Sequence, residues 1–271
     1  MWVEALFVLT ALLYAVAFVR FVIFLFGRTP TELPPSLPHM VTVAAVLHAL
    51  HIGFFSLLIK VCPVDGVHFP LSVASMFTCV LYVALRRRFR LDAAGVVVTP
   101  FALTTLLASR FVGGGMLAPG PRVRSAILPF HVTMNLLGVA LFTLAAASAM
   151  LYLVQERRLK EKRLTGLFQR LPALDTLDRA EHRLLLAGFP LLTFGIVSGT
   201  VWATRLRVQM LSDLVRDSFG YVTWLMFAAV LLSRAVLGWR GRKAAWGTLT
   251  GFALTIVVLL MYLLRSGTPA S

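Results

Sequence analysis

Apolar runs long enough to cross a bilayer recur along the whole chain, and they leave it few folds to adopt. A hydrocarbon core of about 30 Å needs roughly 20 residues of helix at a rise of about 1.5 Å each. Stretches that meet this requirement lie near residues 2–26, 39–59, 68–86, 94–110, 127–154, 183–203, 218–238 and 244–264. Inside lipid the backbone N–H and C=O groups of such a run must be paired within the segment itself, which favours helix. The expected fold is an all-α integral membrane bundle of about eight transmembrane helices. With no internal repeat or low-complexity tract, residues 1–271 read as a single domain.

Composition points the same way. Of 271 residues, 59% are hydrophobic and 14% charged, with a mean hydropathy of +0.85, whereas soluble domains hold about 45–50% apolar residues. The first run is too long for a signal-peptide core and has neither a basic leader nor a small-residue cleavage site, so it should stay as helix one. The fourth is short and contains Pro100, whose freed backbone groups need neighbours, so a packed position is expected for it. The longest connection, Gln155 to His182, is too short and too charged to bury a core of its own. Cys62 and Cys79 fit neither a CxxC nor a Cys/His metal pattern and read as ordinary small residues.

Basic residues set the orientation. The runs Arg86-Arg87-Arg88-Phe89-Arg90, Arg157 to Arg163 and Arg240 to Lys243 follow spans three, five and seven. Lys and Arg near helix ends stay on the cytoplasmic side. Both termini are thus expected on the outer, periplasmic or extracellular, side of a bacterial cytoplasmic (inner) membrane crossed many times. The net charge of +15 is then a property of short inner loops facing the headgroups of the lipid bilayer, and no nucleic-acid partner is expected.

Functional candidates are the polar groups within this apolar frame, because each is expensive to bury in lipid. His48 and His51 lie near the middle of span two, three residues apart on neighbouring parts of one helix face. His68 and His131 open spans three and five at the outer surface, and Asn135 follows His131 by one turn. Neutral imidazole ligates haem iron or another transition metal. It also makes interhelical hydrogen bonds, and both readings stand for His48 and His51. Asn135 either orients His131 or bridges helices. His39 and His182, at inner helix ends, read as structural, and Glu4 and Arg20 lie close enough to the interface to reach water. There is no Ser/His/Asp constellation, no carboxylate pair within a span and no HExxH, and Gly113-Gly114-Gly115 lacks the context of a phosphate loop. No enzyme class is assigned.

Several short segments, in order, carry a resemblance. Gly66-Val67-His68-Phe69-Pro70-Leu71-Ser72 and His131-Val132-Thr133-Met134-Asn135-Leu136-Leu137-Gly138 come first. Leu171 to Asp178, Gly188 to Thr193, Ser198-Gly199-Thr200-Val201-Trp202-Ala203, Thr223-Trp224 and Arg240-Gly241 follow. Together they resemble the cytochrome c assembly family of CcsA/ResC/HemX-type membrane proteins, over roughly residues 40–262 and most strongly over 131–245. The resemblance implies haem presented on the outer face between two outward-facing histidines, beneath a tryptophan-rich loop. His131 matches the first of those histidines, and Trp202 joins the candidate haem-binding residues.

Two features depart from that pattern. Asp213 and Leu214 stand where the family has a Trp-Asp pair, although Arg216, Asp217, Ser218 and Phe219 follow as basic, acidic, hydroxyl and aromatic counterparts. The stretch Tyr262 to Ser271 holds no second histidine. The chain is therefore similar to the HemX/YpjD-like branch, which lacks the tryptophan motif. Expected from this is a haem-handling accessory or regulator in cytochrome c biogenesis or haem metabolism. It would bind haem b through His131 or the His48/His51 pair, with His131 and His48 as iron ligands and His68 and Trp202 beside them. Its partners would be other cytochrome c maturation or haem-synthesis proteins. The alternative is a cofactor-free membrane scaffold that organises partner proteins through the basic connection 155–182. A transporter is disfavoured, because the inverted repeats and paired broken helices of that class are missing.

Overall fold

The computed structural model describes residues 2–27, 33–59, 68–111, 127–163, 165–206 and 211–266. Among them the chain forms α1 (Trp2–Phe26), α2 (Ser36–Ile59), α3 (His68–Phe89), a 3-10 turn (Asp92–Ala94), α4 (Gly95–Phe111), α5 (Ile127–Lys160), α6 (Leu167–Arg170), α7 (Leu174–Leu206), α8 (Leu211–Val236) and α9 (Arg242–Ser266), with no strand. Seven of these helices, all but α3 and α6, are long and apolar enough to cross a membrane. At 22 residues α3 has the length to cross as well, is uncharged as far as Leu85, and packs among α2, α4 and α5. The chain is a multi-pass, all-helical membrane protein.

The outer faces of the helices confirm the solvent. Leu12, Val16, Val19 and Ile23 on α1 and Leu225, Leu232 and Val236 on α8 are exposed. In water such continuous apolar stripes would drive association. In lipid they are the surface the bundle needs.

At the centre is α5, with 72% of its most apolar stretch buried, more than any other crossing helix. Its sequence explains why. Ala140, Ala145, Ala146, Ala147 and Ala149 are buried small residues, and small side chains let helix backbones approach closely where lipid supplies no hydrophobic drive. Phe142 is buried among them and stacks on Phe227 of α8 with ring centroids 4.0 Å apart.

Helix boundaries differ from expectation at the basic end. The spans expected at 127–154 and 183–203 belong to helices of 34 and 33 residues. At about 1.5 Å per residue each is about 50 Å long and must protrude from the bilayer. The excess is helical because its charges pair along the helix, Lys160 with Glu156 and Arg157 with Glu161 at 2.8 Å, and Arg179 with Asp175 at 2.7 Å. Most of the 155–182 connection is therefore helix rather than loop. Arg170 of α6 donates to the Phe24 carbonyl at the end of α1, and its guanidinium lies 5.9 Å from the Phe24 ring centre. It thereby satisfies one of the carbonyls that a helix C-terminus leaves unpaired.

Three helices are joined at this end by buried charge. Arg234 of α8 places Nη2 3.2 Å from Asp178 Oδ1 and 3.1 Å from Glu181 Oε1, both on α7. Thr248 of α9 donates to Glu181 at 2.5 Å, and the Gly241 N–H donates to Asp178 at 2.8 Å.

Candidate functional site

At the opposite end, α5 and α7 meet along two matched faces. His131, Asn135, Gly138 and Phe142 follow one another at helical spacings of four, three and four and share one side of α5. On α7, Gly188, Leu192, Gly195 and Gly199 do the same, and the two helices run antiparallel. A Cβ on Gly199 would lie 2.5 Å from His131 Cε1, one on Gly195 would overlap the Asn135 amide, and one on Gly188 would lie 2.8 Å from Phe142. The glycines of α7 are thus the sockets for the polar and aromatic side chains of α5.

His131 is half-buried in this seam, with Nδ1 2.6 Å from the Gly195 carbonyl oxygen. A carbonyl only accepts, so Nδ1 carries the proton, and in the neutral ring the lone pair resides on Nε2. Asn135 Nδ2 donates to the His131 carbonyl at 2.9 Å and lies 3.2 and 3.4 Å from the two ring nitrogens. Ser198 Oγ is 3.5 Å from Nδ1. A backbone carbonyl holding Nδ1–H is the arrangement that fixes the tautomer and direction of a metal-ligating imidazole.

The span-two histidines are held differently. His48 is fully buried, with Nε2 2.7 Å from Ser72 Oγ on α3 and Nδ1 3.3 Å from Tyr14 OH on α1. Both ring nitrogens are engaged, and the imidazole ties three helices together. His51 donates from Nδ1 to the Val3 carbonyl at 3.0 Å and lies between the rings of Phe7 and Phe55. The two imidazoles thus face separate partners rather than one shared ligand position. Ser72→Ala would leave a buried His48 nitrogen unpaired and is expected to cost about 1–3 kcal/mol, read as a lower unfolding midpoint in detergent.

The remaining expected residues lie at the same end of the bundle. His68 begins α3 and Trp202 sits near the end of α7, but both side chains fall outside the described residues, as do those of Asp213, Leu214, Arg216 and Asp217. Ser218 and Phe219 lie on the exposed or half-buried face of α8. Nearby, Trp224 stacks on Phe189 and donates Nε1–H to Thr193 at 2.9 Å, joining α8 to α7.

Sequence reasoning missed Gly195 and Ser198 as partners of His131, although the spacings of seven and four from Gly188 to Gly195 to Gly199 were a usable signal. It also missed the Asp178–Glu181–Arg234 cluster. Arg234 was visible as an ionisable residue inside an apolar run, a pattern that warrants attention by itself.

Among the described residues no group of three or more His, Cys, Asp or Glu could hold a bare metal ion. Haem iron comes already held by its macrocycle, so such a group would ask the protein for an imidazole rather than for a cluster of ligands. A family model described as cytochrome C assembly protein matches residues 39–268. The chain is 28% identical to the cytochrome c biogenesis protein CcsA of Microcystis aeruginosa, in an alignment covering 82% of this chain and 80% of that protein. It is 43% and 44% identical over 95 residues to the proteins of that name from Gloeothece citriformis and Rippkaea orientalis. Those matches span 35% of this chain and 28% and 27% of the relatives' lengths.

Proposed function

The chain belongs to the cytochrome c assembly protein family, and from that premise we propose that it handles haem b in the service of cytochrome c biogenesis, with His131 Nε2 as its iron ligand. The observation that supports this most is the 2.6 Å hydrogen bond from His131 Nδ1 to the Gly195 carbonyl. It places the proton on Nδ1 and so leaves the basic lone pair on Nε2, beside the Asn135 amide at 3.4 Å. Gly195 and Gly199 supply the space in which the ring and its Asn135 neighbour lie. The apolar helices on either side lower the dielectric around the half-buried ring. Bound haem would supply a redox-active iron and vinyl groups able to react with cysteine thiols. Everything else here is orientation of that one imidazole.

The arginine-rich end faces the cytoplasm on this reading, and His131 opens towards the outer side of a bacterial inner membrane. The segment 204–217 contains no tryptophan, so it lacks the aromatic faces that would stack on a porphyrin. The role proposed is accordingly accessory or regulatory, beside other maturation or haem-synthesis proteins.

The test is spectroscopic. Protein purified in mild detergent and titrated with haem should develop a Soret band, His131→Ala should lose it, and His131→Gly should regain it when imidazole is added. His48→Ala should keep the band, because His48 has both nitrogens engaged. If the wild type binds no haem, or His131→Ala binds it equally well, the assignment is wrong. A cofactor-free scaffold would then account better for the basic α5–α6–α7 connection.

A further inference from the structure

A cavity of about 380 Å³ opens at the basic end of the bundle, lined by Leu33, Pro35, Pro38, Arg86, Arg87 and Asp92. Its size falls in the usual range for small-molecule sites, about 300–1,000 Å³. Its two walls differ in chemistry. The wall leading into α2 is apolar. The wall between α3 and α4 carries two guanidinium groups against one carboxylate. Arg86 spends its charge on Asp92 at 2.5 Å, whereas Arg87 is exposed and has no carboxylate partner among the described residues. Arg20 of α1 donates to Ser36, next to Pro35, at 3.2 Å. The N-terminus of α2 opens at the same place and adds its dipole to the positive field.

We propose that this cavity binds the phosphate of an anionic phospholipid headgroup, with Arg87 as the principal contact and Leu33, Pro35 and Pro38 against the glycerol and first methylenes. A free phosphate would meet the charge but gain nothing from the apolar wall. The depth also suits a lipid. The apolar run of α1 ends at Phe26 and that of α2 begins at Leu37, so the cavity lies where headgroups lie. The inference is independent of haem binding.

The full chain, delipidated in mild detergent, can be titrated with dioctanoyl phosphatidylglycerol, dioctanoyl phosphatidylcholine and inorganic phosphate, with bound species counted by native mass spectrometry. Phosphatidylglycerol should bind in preference to phosphatidylcholine. Arg87→Gln should weaken it about fivefold, the factor expected for one basic side chain near an anionic lipid surface. Asp92→Asn, which releases Arg86, should strengthen it. Arg242→Gln, which removes the same charge from exposed α9, should change it by less than about twofold. Equal losses in Arg87→Gln and Arg242→Gln would reduce the effect to a general field and overturn the site. So would phosphatidylcholine binding as tightly, or phosphate displacing the lipid at equal concentration, which would mark a soluble-anion site.

Discussion

Arg234→Met is expected to destabilise the protein by about 3–5 kcal/mol, the usual consequence of removing one partner from a buried ion pair. The Arg234 side chain is 4% exposed and that of Glu181 0%, so neither can recover hydration without opening the bundle. In the variant Asp178 retains the Gly241 N–H and Glu181 retains Thr248, but two carboxylates share one region with no cation between them. The loss should therefore fall on the packing of α7, α8 and α9 together. Adding Glu181→Gln to Arg234→Met should recover much of it, because a neutral amide costs less to bury than a carboxylate. Thermal unfolding of the detergent-solubilised variants checks both statements. A single variant that melts within about 0.5 kcal/mol of wild type would mean that water already reaches the cluster.

With haem held by His131 as proposed, Gly199→Ala is expected to weaken its binding by about tenfold to a hundredfold, the range seen when a group that orients a metal ligand is lost. An alanine in mid-helix is favoured over glycine by about 1 kcal/mol. Here its methyl would sit 2.5 Å from His131 Cε1, and overpacking of that kind costs about 1–3 kcal/mol. The steric term wins, and the ring has to leave the Gly195 carbonyl to make room. Gly220→Ala is the internal control, because a Cβ there meets nothing within 4 Å. It should leave haem titrations unchanged and stability equal or slightly higher. If Gly199→Ala titrates like Gly220→Ala, His131 is not held in the orientation that its hydrogen bond implies.

Much of the architecture is readable without coordinates. The apolar runs give the crossing helices, because bilayer thickness sets a length requirement that each run satisfies locally. The ordered short motifs from His131 to Gly241 give the family, which the match over residues 39–268 shows independently. Span boundaries at the basic end are less legible. Hydropathy reports where lipid ends, whereas α5 and α7 continue to Lys160 and back to Leu174 on paired charges. Pro100 pointed to a packed position for α4, and 44% of that span is buried.

The site divides along the same line. Residue types and spacings nominate His131 and Asn135 as one unit, since both lie on α5 a turn apart. Nothing local says that the glycines of α7 lie opposite them, that Gly195 accepts the Nδ1 proton, or that His48 is occupied by Tyr14 and Ser72 while His51 turns to Val3. Those assignments depend on which helix faces meet, and hence on contacts between residues 24 to 67 positions apart in the chain. Lipid solvation of a helix is a property of its own residues, so the sequence carries it. An imidazole's tautomer and a carboxylate's partner are properties of two helices at once, so only their packing sets them.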